Sequence, residues 1–464
     1  MQHSKSQTSK AKPSLIDAPI EKTLVNMTVP MIFGMITLML FNIVDTFFVS
    51  MLGTEQLAAI SFTFPVTFTV ISLAIGLSIA TSAIIAKALG ADNPAEARFD
   101  GAVALIVSAV LVALLSLCGY FLIEPIFKLL GATPELLIYI NEYMSVWFIG
   151  SALLITPMIG NAVLRASGDT KTPSVIMGGA GVINAILDPI FIFGFGPVPA
   201  MGIKGAAIAS VIAWSFGVAF ILYLLIIKRK LVAWEKCEQG FFSATSKMLK
   251  IGIPAASANM LTPIAMAIMT AIIASYGAHA VAAFGVGSRI ESIASIVVLA
   301  LSMTLPPFIS QNFGGNRYDR VEQAYLSSLK FVMIWQFIIY LVLLALSGVI
   351  SHIFADEQAV IDVIKLFIYT LPLGYGLQGI IILTNSSLNA LHKPMHALVL
   401  SVVRLFVFYL PFAYVGSLLA GLPGLFIGAL IGNLCTAMVS FSWFKKQLAK
   451  CHVEADNMAL VKEV

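Results

Sequence analysis

Long stretches without any charged side chain constrain this chain more than any other feature of its sequence. Each is long enough for a helix of about 20 residues to cross the hydrocarbon core of a bilayer. They comprise residues 56–86, 101–123, 143–164, 205–227, 251–288, 292–316, 331–355, 366–392 and 405–444. The strands of a membrane β-barrel are instead short segments of alternating hydrophobicity. The pattern therefore predicts an all-α integral membrane protein with many spans.

The composition excludes several functions of soluble proteins. Hydrophobic residues make up 59% of the 464 residues and charged residues only 11%, whereas a soluble domain carries about 25% charged residues. Too little polar surface remains for a soluble enzyme, a nucleic-acid-binding protein or a disordered scaffold. The sequence has no Walker A motif and no group of residues with metal-ligand spacing. We therefore predict neither an enzyme nor an ATP-driven pump, and no metal or cofactor.

Turn residues divide the apolar stretches into twelve predicted spans. Their approximate limits are 24–51, 56–87, 100–127, 136–166, 174–195, 203–228, 248–275, 280–312, 323–354, 359–391, 395–419 and 422–446. Of the 27 Lys and Arg residues, 21 lie in the two tails or in the even-numbered connections. Because positive charge is retained on the cytoplasmic side of a membrane protein, both termini are predicted to be cytoplasmic. The N-terminal segment is polar, so no cleavable signal peptide is expected.

The two halves of the chain align with each other at an offset of 224 residues. Pro30 matches Pro254, and the segment that begins at Asn161 matches the one that begins at Asn385. Each half holds an even number of spans, so the halves share one orientation and form parallel repeats. The predicted organisation is a cytoplasmic tail over 1–22, an N-lobe over 23–228, a linker over 229–250, a C-lobe over 251–446 and a cytoplasmic tail over 447–464.

The N-lobe carries two carboxylates that the repeat does not explain. Asp45 corresponds to Met269. Later in each half the offset slips to 222 residues, as in Pro189 and Pro411, so Asp188 corresponds to Leu410. An Asp inside a span costs roughly 2.5–3.5 kcal/mol on insertion scales, so each should face a cavity or a partner. Neither has a Lys or Arg nearby in sequence, and two such acids should not both stay ionised. Such a group can take up and release a proton or exchange it for a sodium ion, and the alternative is a neutral Asp that is hydrogen-bonded for packing.

Neighbouring residues extend this candidate site. Asn184 lies four residues before Asp188, on the same face of the fifth predicted span. Pro30 removes a backbone hydrogen bond inside the first span and should bend or weaken it. Methionines recur every four residues on that span, which suits an adaptable binding surface, although core or lipid packing is the ordinary explanation of such a stripe.

The C-lobe has charges of its own inside predicted spans. Arg289 and Glu291 are two residues apart, so they face away from each other on one helix. Glu291 can instead pair with Arg404 across helices. We predict a structural or gating role for these three residues rather than a role in ion coupling.

Four linked motifs resemble those of the multidrug and toxic compound extrusion (MATE) family of transporters. They are NIVDTFFVSMLG at 42–53, NAVLRASGDTKTP at 161–173, NAILDPIFIFG at 184–194 and GAAIAS at 205–210. The resemblance covers nearly the whole chain after residue 15. The N-lobe aspartates resemble the DinF-like branch, and the lack of a carboxylate in the seventh predicted span argues against the NorM-like branch.

The resemblance implies a fold of two six-helix lobes and a secondary antiporter in the bacterial inner membrane. Such a protein exports cationic, amphipathic drugs in exchange for H⁺ or Na⁺ and so contributes to antibiotic resistance. Ion coupling is then expected at Asp45 and Asp188, with Asn161, Asn184 and Ser210 as polar neighbours, and with bending of the first span at Pro30. The expected substrate cavity is lined by Met31, Met35, Phe41, Asn42, Asn161, Met177 and Asn184.

The expected partners follow from the same resemblance. They are small-molecule drugs, the coupling ion and membrane lipids, with no nucleic acid, and we expect a monomer. The alternative function is a flippase for lipid-linked oligosaccharides from the same superfamily. Such a cavity needs cationic residues for a pyrophosphate, and the N-lobe spans have acids in their interior but Lys and Arg only near their ends.

Overall fold

The computed structural model describes residues 15–235 and 240–463, and almost all of these residues are helical. The predicted tail 1–22 and the predicted linker 229–250 therefore lie partly outside the described residues. The helices are α1 Ile20–Ser50, α2 Thr54–Gly90, α3 Pro94–Phe121, α4 Ile123–Leu129, α5 Pro134–Ala166, α6 Lys171–Phe193, α7 Gly202–Leu222, α8 Phe241–Ala274, α9 Ala278–Ala294, α10 Ile296–Gly314, α11 Tyr318–Phe354, α12 Gln358–Thr370, α13 Tyr375–Ala390, α14 Pro394–Val402 and α15 Leu410–Glu463. Short π-helical segments follow α7 over Tyr223–Lys228 and α14 over Val403–Tyr409, and a 3₁₀ turn over Leu371–Gly374 joins α12 to α13.

These helices provide the twelve predicted spans. Among the described residues, 11 helical segments are long and apolar enough to cross a membrane. The last segment, Pro394–Ala455, has 62 residues and holds two spans, because the backbone leaves the helical conformation at Ala420 and Gly421. Gly421 has a φ of +63°, which glycine adopts without the steric cost that a side chain would add. The predicted all-α architecture with many membrane spans is confirmed.

The last span extends beyond its predicted end. α15 continues to Glu463, whereas the sequence predicted that the helix ends near residue 446 and that a separate tail follows. Two contacts explain the extension. Cys451 is buried in the core of the C-lobe, and Glu454 forms an ion pair with Lys393 at 3.8 Å. The C-terminal end of α15 therefore depends on packing contacts that cannot be read from the hydrophobic pattern of the sequence.

Each half of the chain encloses a hydrophobic core. The core of the N-lobe joins α2, α3, α5 and α7 with the start of α8, and it includes the fully buried Phe127 and Met144. The C-lobe has its own clusters, in which Phe308, Tyr325 and Phe426 are fully buried. The molecule is therefore built from two packed bundles that touch along one boundary.

The lobes meet on the side of the bundle that holds both described ends of the chain, which we call the terminal side, opposite the loop side. Gly76 of α2 lies so close to the backbone of Gly252 in α8 that a side chain would overlap its carbonyl group. Gly90 has the same close contact with the backbone of Gln311. On the loop side, the facing halves of α2 and α8 expose Phe64 by 56% and Ile264 by 50%. The lobes are thus closed on the terminal side. Towards the loop side α2 and α8 are less buried, and we call the space between the lobes there the cleft.

Hydrogen bonds across this boundary also lie on the terminal side. The hydroxyl groups of Thr28 and Thr304 are 2.8 Å apart, and both residues are buried. Gln311 donates from Nε2 to the carbonyl oxygen of Ala166 at 2.7 Å. Because a buried polar group without a partner costs free energy, these bonds favour the closed arrangement.

Helix α1 is shared between the two lobes. Its first turns belong to the C-lobe core, where Leu24 and Met27 pack with Leu305 and residues around it. Its second half packs instead along α6 of the N-lobe. Pro30 lies between these two contact regions. The helix therefore joins the bundles on either side of a proline, which is the position where an α-helix is most easily bent.

Candidate functional site

Helices α1 and α6 bring the two aspartates of the N-lobe together. The two helices approach closely because Gly181 has no side chain and the ring of Phe41 lies directly against it. Asp45 lies five residues before the end of α1 at Ser50, and Asp188 lies five residues before the end of α6 at Phe193. The carboxyl groups therefore reach the same level of the N-lobe, towards the loop side.

The geometry of the pair is a short chain of hydrogen bonds. Asp188 is completely buried. Asn184 donates from Nδ2 to Asp188 Oδ1 at 3.1 Å and lies 3.4 Å from the hydroxyl oxygen of Ser210. The carboxyl groups of Asp45 and Asp188 lie close enough to interact directly with each other. Four polar groups from α1, α6 and α7 thus converge, as the sequence predicted for these four residues.

A hydrogen bond between two carboxyl groups requires a proton on one of them, because two carboxylates offer only acceptors. The Oδ2 atom of Asp188 is buried and receives no hydrogen bond from an amide or a neutral hydroxyl group among the described residues. A proton on Asp45 would give this oxygen atom a donor, because the carboxyl groups of Asp45 and Asp188 lie close together. The arrangement can therefore hold one proton with a single negative charge, or two protons with none.

Tyr143 of α5 is a further member of this site that the sequence reasoning missed. The charges of Asp45 and Asp188 both act on its hydroxyl group. Its ring packs against a small buried cluster that contains Val49 and Ile192. A tyrosine inside a span was the only available signal, and nothing in the sequence distinguishes Tyr143 from the other tyrosines of the chain.

Asn161 does not lie with the aspartates, so its expected role as their neighbour is wrong. It follows Tyr143 by 18 residues on α5, which corresponds to about 27 Å along the helix axis. The residue is only 6% exposed, and its Oδ1 has no hydrogen-bond partner among the described residues. Asn161 therefore lies on the buried terminal side of the N-lobe in this structure, and its expected place in the lining of a cavity stays a prediction.

The residues expected to line a substrate cavity differ in exposure. Met31 is completely buried, and its sulfur lies 3.5 Å from the hydroxyl of Ser174, so it does not line the cleft in this structure. Asn42 is exposed, and Met35, Phe41 and Met177 are half-buried. A lining role for these four residues stays a prediction.

The charged residues of the C-lobe lie in a second polar group of side chains. We call it the C-lobe polar cluster, and it consists of Glu291 in α9, Tyr375 and Gln378 in α13, and Arg404 and Tyr409 in the π-helical segment Val403–Tyr409. Gln378 donates from Nε2 to Glu291 Oε1 at 2.8 Å. Arg404 interacts electrostatically with Glu291 but forms no ion pair with it in the described structure. The hydrogen-bond partner of Glu291 is therefore Gln378 and not Arg404, the partner that the sequence suggested.

Comparison with known proteins identifies relatives of the whole chain. The MatE family matches residues 30–190 and 254–415, with one match in each lobe. A protein of Shewanella oneidensis named "FAD transporter" is 41% identical over 433 residues, which cover 93% of this chain and 96% of that protein. A "probable multidrug resistance protein" of Bacillus subtilis is 28% identical and covers 91% of this chain and 94% of its own length.

Solved structures of transporters share the architecture. The crystal structure of the Vibrio cholerae MATE transporter VcmN in a bent form is 34% identical to this chain and has a TM-score of 0.90. The match covers 94% of this chain and 98% of that one. The similarity therefore extends over both lobes and over the boundary between them.

Proposed function

Because the chain belongs to the MATE family of membrane transporters, we propose that it is a secondary-active exporter whose driving ion binds between Asp45 and Asp188. One observation carries the proposal, namely the direct approach of two carboxyl groups, one of them completely buried, inside the N-lobe. A shared proton in a membrane-embedded site is a group that can be loaded and unloaded during a transport cycle. The coupling ion is H⁺, and Na⁺ is the alternative that a carboxylate pair can also bind.

In this proposal the terminal side faces the cytoplasm and the cleft faces the outside. The distribution of Lys and Arg supports this orientation. Protons then reach Asp45 from outside through the cleft. A second proton removes the remaining negative charge of the pair, which weakens the hold on a bound substrate and releases it. The lobes rock, the terminal side opens, and the protons leave to the cytoplasm.

Pro30 provides a hinge in α1 at which the two halves of this helix can change their angle. Protonation of Asp45 changes the charge on the loop-side half of α1, while the first turns of α1 remain packed in the C-lobe core. The missing backbone hydrogen bond at Pro30 lets the two halves change their angle at low cost. That one relative has been solved in a bent form supports a conformational change of this kind.

The driving force depends on how many charges cross the membrane. Moving one elementary charge across a potential of 100 mV is worth about 2.3 kcal/mol. Exchange of one proton for a monocation is electroneutral, so only the pH gradient drives it. Exchange of a proton for an anionic substrate that leaves the cell instead moves net negative charge outwards, and both the pH gradient and the potential favour it.

Two classes of substrate are supported by separate observations. Cationic, amphipathic drugs fit an acidic site in the N-lobe, and relatives named as multidrug resistance proteins are 24–28% identical. A flavin dinucleotide fits the 41% identity to the protein named "FAD transporter". Because that identity is well above the others and covers nearly both chains, we propose flavin dinucleotide as a substrate that must be tested beside the drugs.

Transport into inverted membrane vesicles tests the coupling. The vesicles receive a pH gradient or a sodium gradient separately, and uptake of ethidium and of FAD is followed by fluorescence. Asp45→Asn should abolish gradient-driven uptake of every substrate, because an amide cannot bind or release a proton. Asp356→Asn, the same chemical change at an exposed loop position, is the matched control and should transport normally. Gradient-driven uptake at the wild-type rate by Asp45→Asn would contradict the proposal.

A further inference from the structure

We propose that the C-lobe polar cluster is an anion-binding subsite of the cleft, which takes the phosphate groups of a dinucleotide substrate. The inference rests on the proposed function as an exporter and adds the residues that select the class of substrate. The cluster lies on three helical segments, α9, α13 and the π-helical segment after α14, so it forms only when the C-lobe is folded.

Two hydrogen-bond donors in the cluster have no partner. Tyr375 is only 3% exposed, and its hydroxyl group has no hydrogen-bond partner among the described residues. The same is true of the buried Nε of Arg404. The carboxylate of Glu291 accepts from Gln378 and from neither of these donors in the described structure. Buried donors without acceptors point to a missing acceptor, and the oxygen atoms of a phosphate have the charge and the geometry that a guanidinium group prefers.

The cluster is open enough to receive such a group. Arg404, Gln378 and Tyr409 are half-buried, while Tyr375 behind them is buried. The arrangement is that of a recess with a polar floor and a partly exposed rim. Two tyrosine rings beside a cation also suit a ligand that carries flat aromatic rings next to its phosphates.

The internal repeat places this recess opposite the ion-binding site. Spans 8, 10 and 11, which carry the cluster, correspond to spans 2, 4 and 5 of the N-lobe. Spans 4 and 5 carry Tyr143 and Asp188. Each lobe therefore encloses one group of ionisable side chains in corresponding helices, acidic in the N-lobe and containing a cation in the C-lobe.

Arg289 is a second cation of α9, and it lies on the opposite face of that helix from Glu291 of the recess. It is exposed, and it forms no ion pair or hydrogen bond with another described residue. It lies on the same face of α9 as the exposed Ala282 and Gly285. At the offset of 224 residues it corresponds to Pro65, which is exposed on α2. An unpaired guanidinium group in hydrocarbon is costly, so Arg289 faces water, and in a span of this lobe the cleft is the water-filled space.

The charges of the C-lobe then select between substrate classes. Arg289 and Arg404 together carry two positive charges against one negative charge on Glu291. A dinucleotide has two negative charges on its diphosphate, which these residues attract, whereas a cationic drug is repelled from the recess. The drug can still bind beside the acidic pair of the N-lobe, so substitutions in the cluster should separate the two activities.

The test compares FAD with ethidium in the same vesicles and measures FAD binding to purified protein in nanodiscs by flavin fluorescence. Arg404→Gln should weaken FAD binding about tenfold, the usual effect of losing one charge-assisted contact. Arg289→Gln should weaken it less, because Arg289 attracts the phosphates only at longer range, from the opposite face of α9. Tyr375→Phe should weaken it less, and Glu291→Gln should strengthen it, because repulsion of the phosphates is removed. Ethidium transport should be retained in all four variants. Lys330→Gln, which removes a cation from an exposed position on α11, is the matched control and should leave both activities unchanged.

Three outcomes overturn the inference. Equal loss of FAD and ethidium transport in Arg404→Gln would mean that the arginine supports the fold rather than the substrate. Unchanged FAD binding in both arginine variants would remove the anion site, and so would weaker FAD binding in Glu291→Gln. Failure of the exporter proposal looks different, because wild-type vesicles would then show no gradient-driven uptake of any substrate even when FAD binds in nanodiscs.

Discussion

Protonation of His392 should loosen the closed terminal side of the protein. His392 occupies the turn between α13 and α14 and crosses to the N-lobe, where its Nε2 lies 3.3 Å from the carbonyl oxygen of Ala83. Its ring lies 6.2 Å from that of Phe313. Burial, and then the positive charge of Lys87, lowers the pKa of His392 from 6.5 to about 3. The imidazole is therefore neutral while the lobes are closed.

The sign of the pH effect follows from this shift. When the lobes separate on the terminal side, burial and the repulsion by Lys87 are lost, and the pKa of His392 returns towards 6.5. Below that pH the open form binds a proton that the closed form does not bind, so acid favours opening. The preference is about RT ln 11, or ~1.4 kcal/mol, one pH unit below the ordinary pKa and less than ~0.1 kcal/mol one unit above it. Acidification from pH 7.5 to 5.5 should thus shift the equilibrium about tenfold towards opening.

The assay measures the distance between the lobes. Spin labels on cysteines at Ala91 and Arg317, which are exposed on opposite lobes, report opening by pulsed electron paramagnetic resonance. The measurement uses protein with the native cysteines replaced and Asp45→Asn present, so that the N-lobe pair cannot titrate with it. His392→Asn is the informative variant, because Asn tolerates the positive φ of 58° at this position and keeps an amide donor for Ala83.

The wild-type residue and the variant should then differ in pH response. The fraction of open protein should rise with acid when His392 is present and stay constant in His392→Asn. The same pH response in both proteins would refute the reasoning, because another group would then be titrating. A flat response in both would show that the turn does not move when the lobes separate.

Three further predictions concern the boundary and the site. Gly76→Leu should disfavour the closed terminal side by about 1–3 kcal/mol, because its side chain meets the backbone of Gly252, and labels across the lobes should report a larger open fraction. Arg320→Ala removes the guanidinium group that donates to the carbonyl oxygen of Ala18 at 2.5 Å, and amide hydrogen exchange should become faster in the first turns of α1. Tyr143→Phe should slow gradient-driven uptake while leaving the melting temperature within a few degrees of the wild type, as for other single hydroxyl deletions of about 1 kcal/mol; a wild-type uptake rate would remove Tyr143 from the site.

The spans were predictable because a membrane imposes one physical requirement along the whole chain. Every backbone group inside the bilayer must be paired within its own helix, and apolar length is then sufficient to locate a span. The rule ends where the membrane ends. The continuation of α15 past residue 446 depends on contacts of Cys451 and Glu454 with the C-lobe, and these contacts have no hydrophobic period.

The candidate site was predictable in part, from the asymmetry of the repeat. Asp45 and Asp188 stood out because their counterparts are apolar, and the structure brings them together. The prediction that Asn161 lies beside the aspartates was wrong because it did not take account of how deep each residue lies along its own helix. It lies five residues from the terminal-side end of α5, whereas the aspartates lie five residues from the loop-side ends of their helices. To predict that Tyr143 belongs to the site, one must know how α5 packs against α1 and α6, and a single sequence does not contain that information.

The division of α1 between the two bundles has a consequence for how the protein is made. Spans enter the membrane in order as the ribosome synthesises them, yet the core that contains Leu24 and Met27 is otherwise built from the N-terminal segment and from residues of α10 and later helices. The first turns of α1 therefore remain without their packing partners until spans of the C-lobe have been inserted. A gene fragment that encodes residues 1–228 alone should yield a bundle that is degraded rapidly, and co-expression with the remaining fragment should protect it.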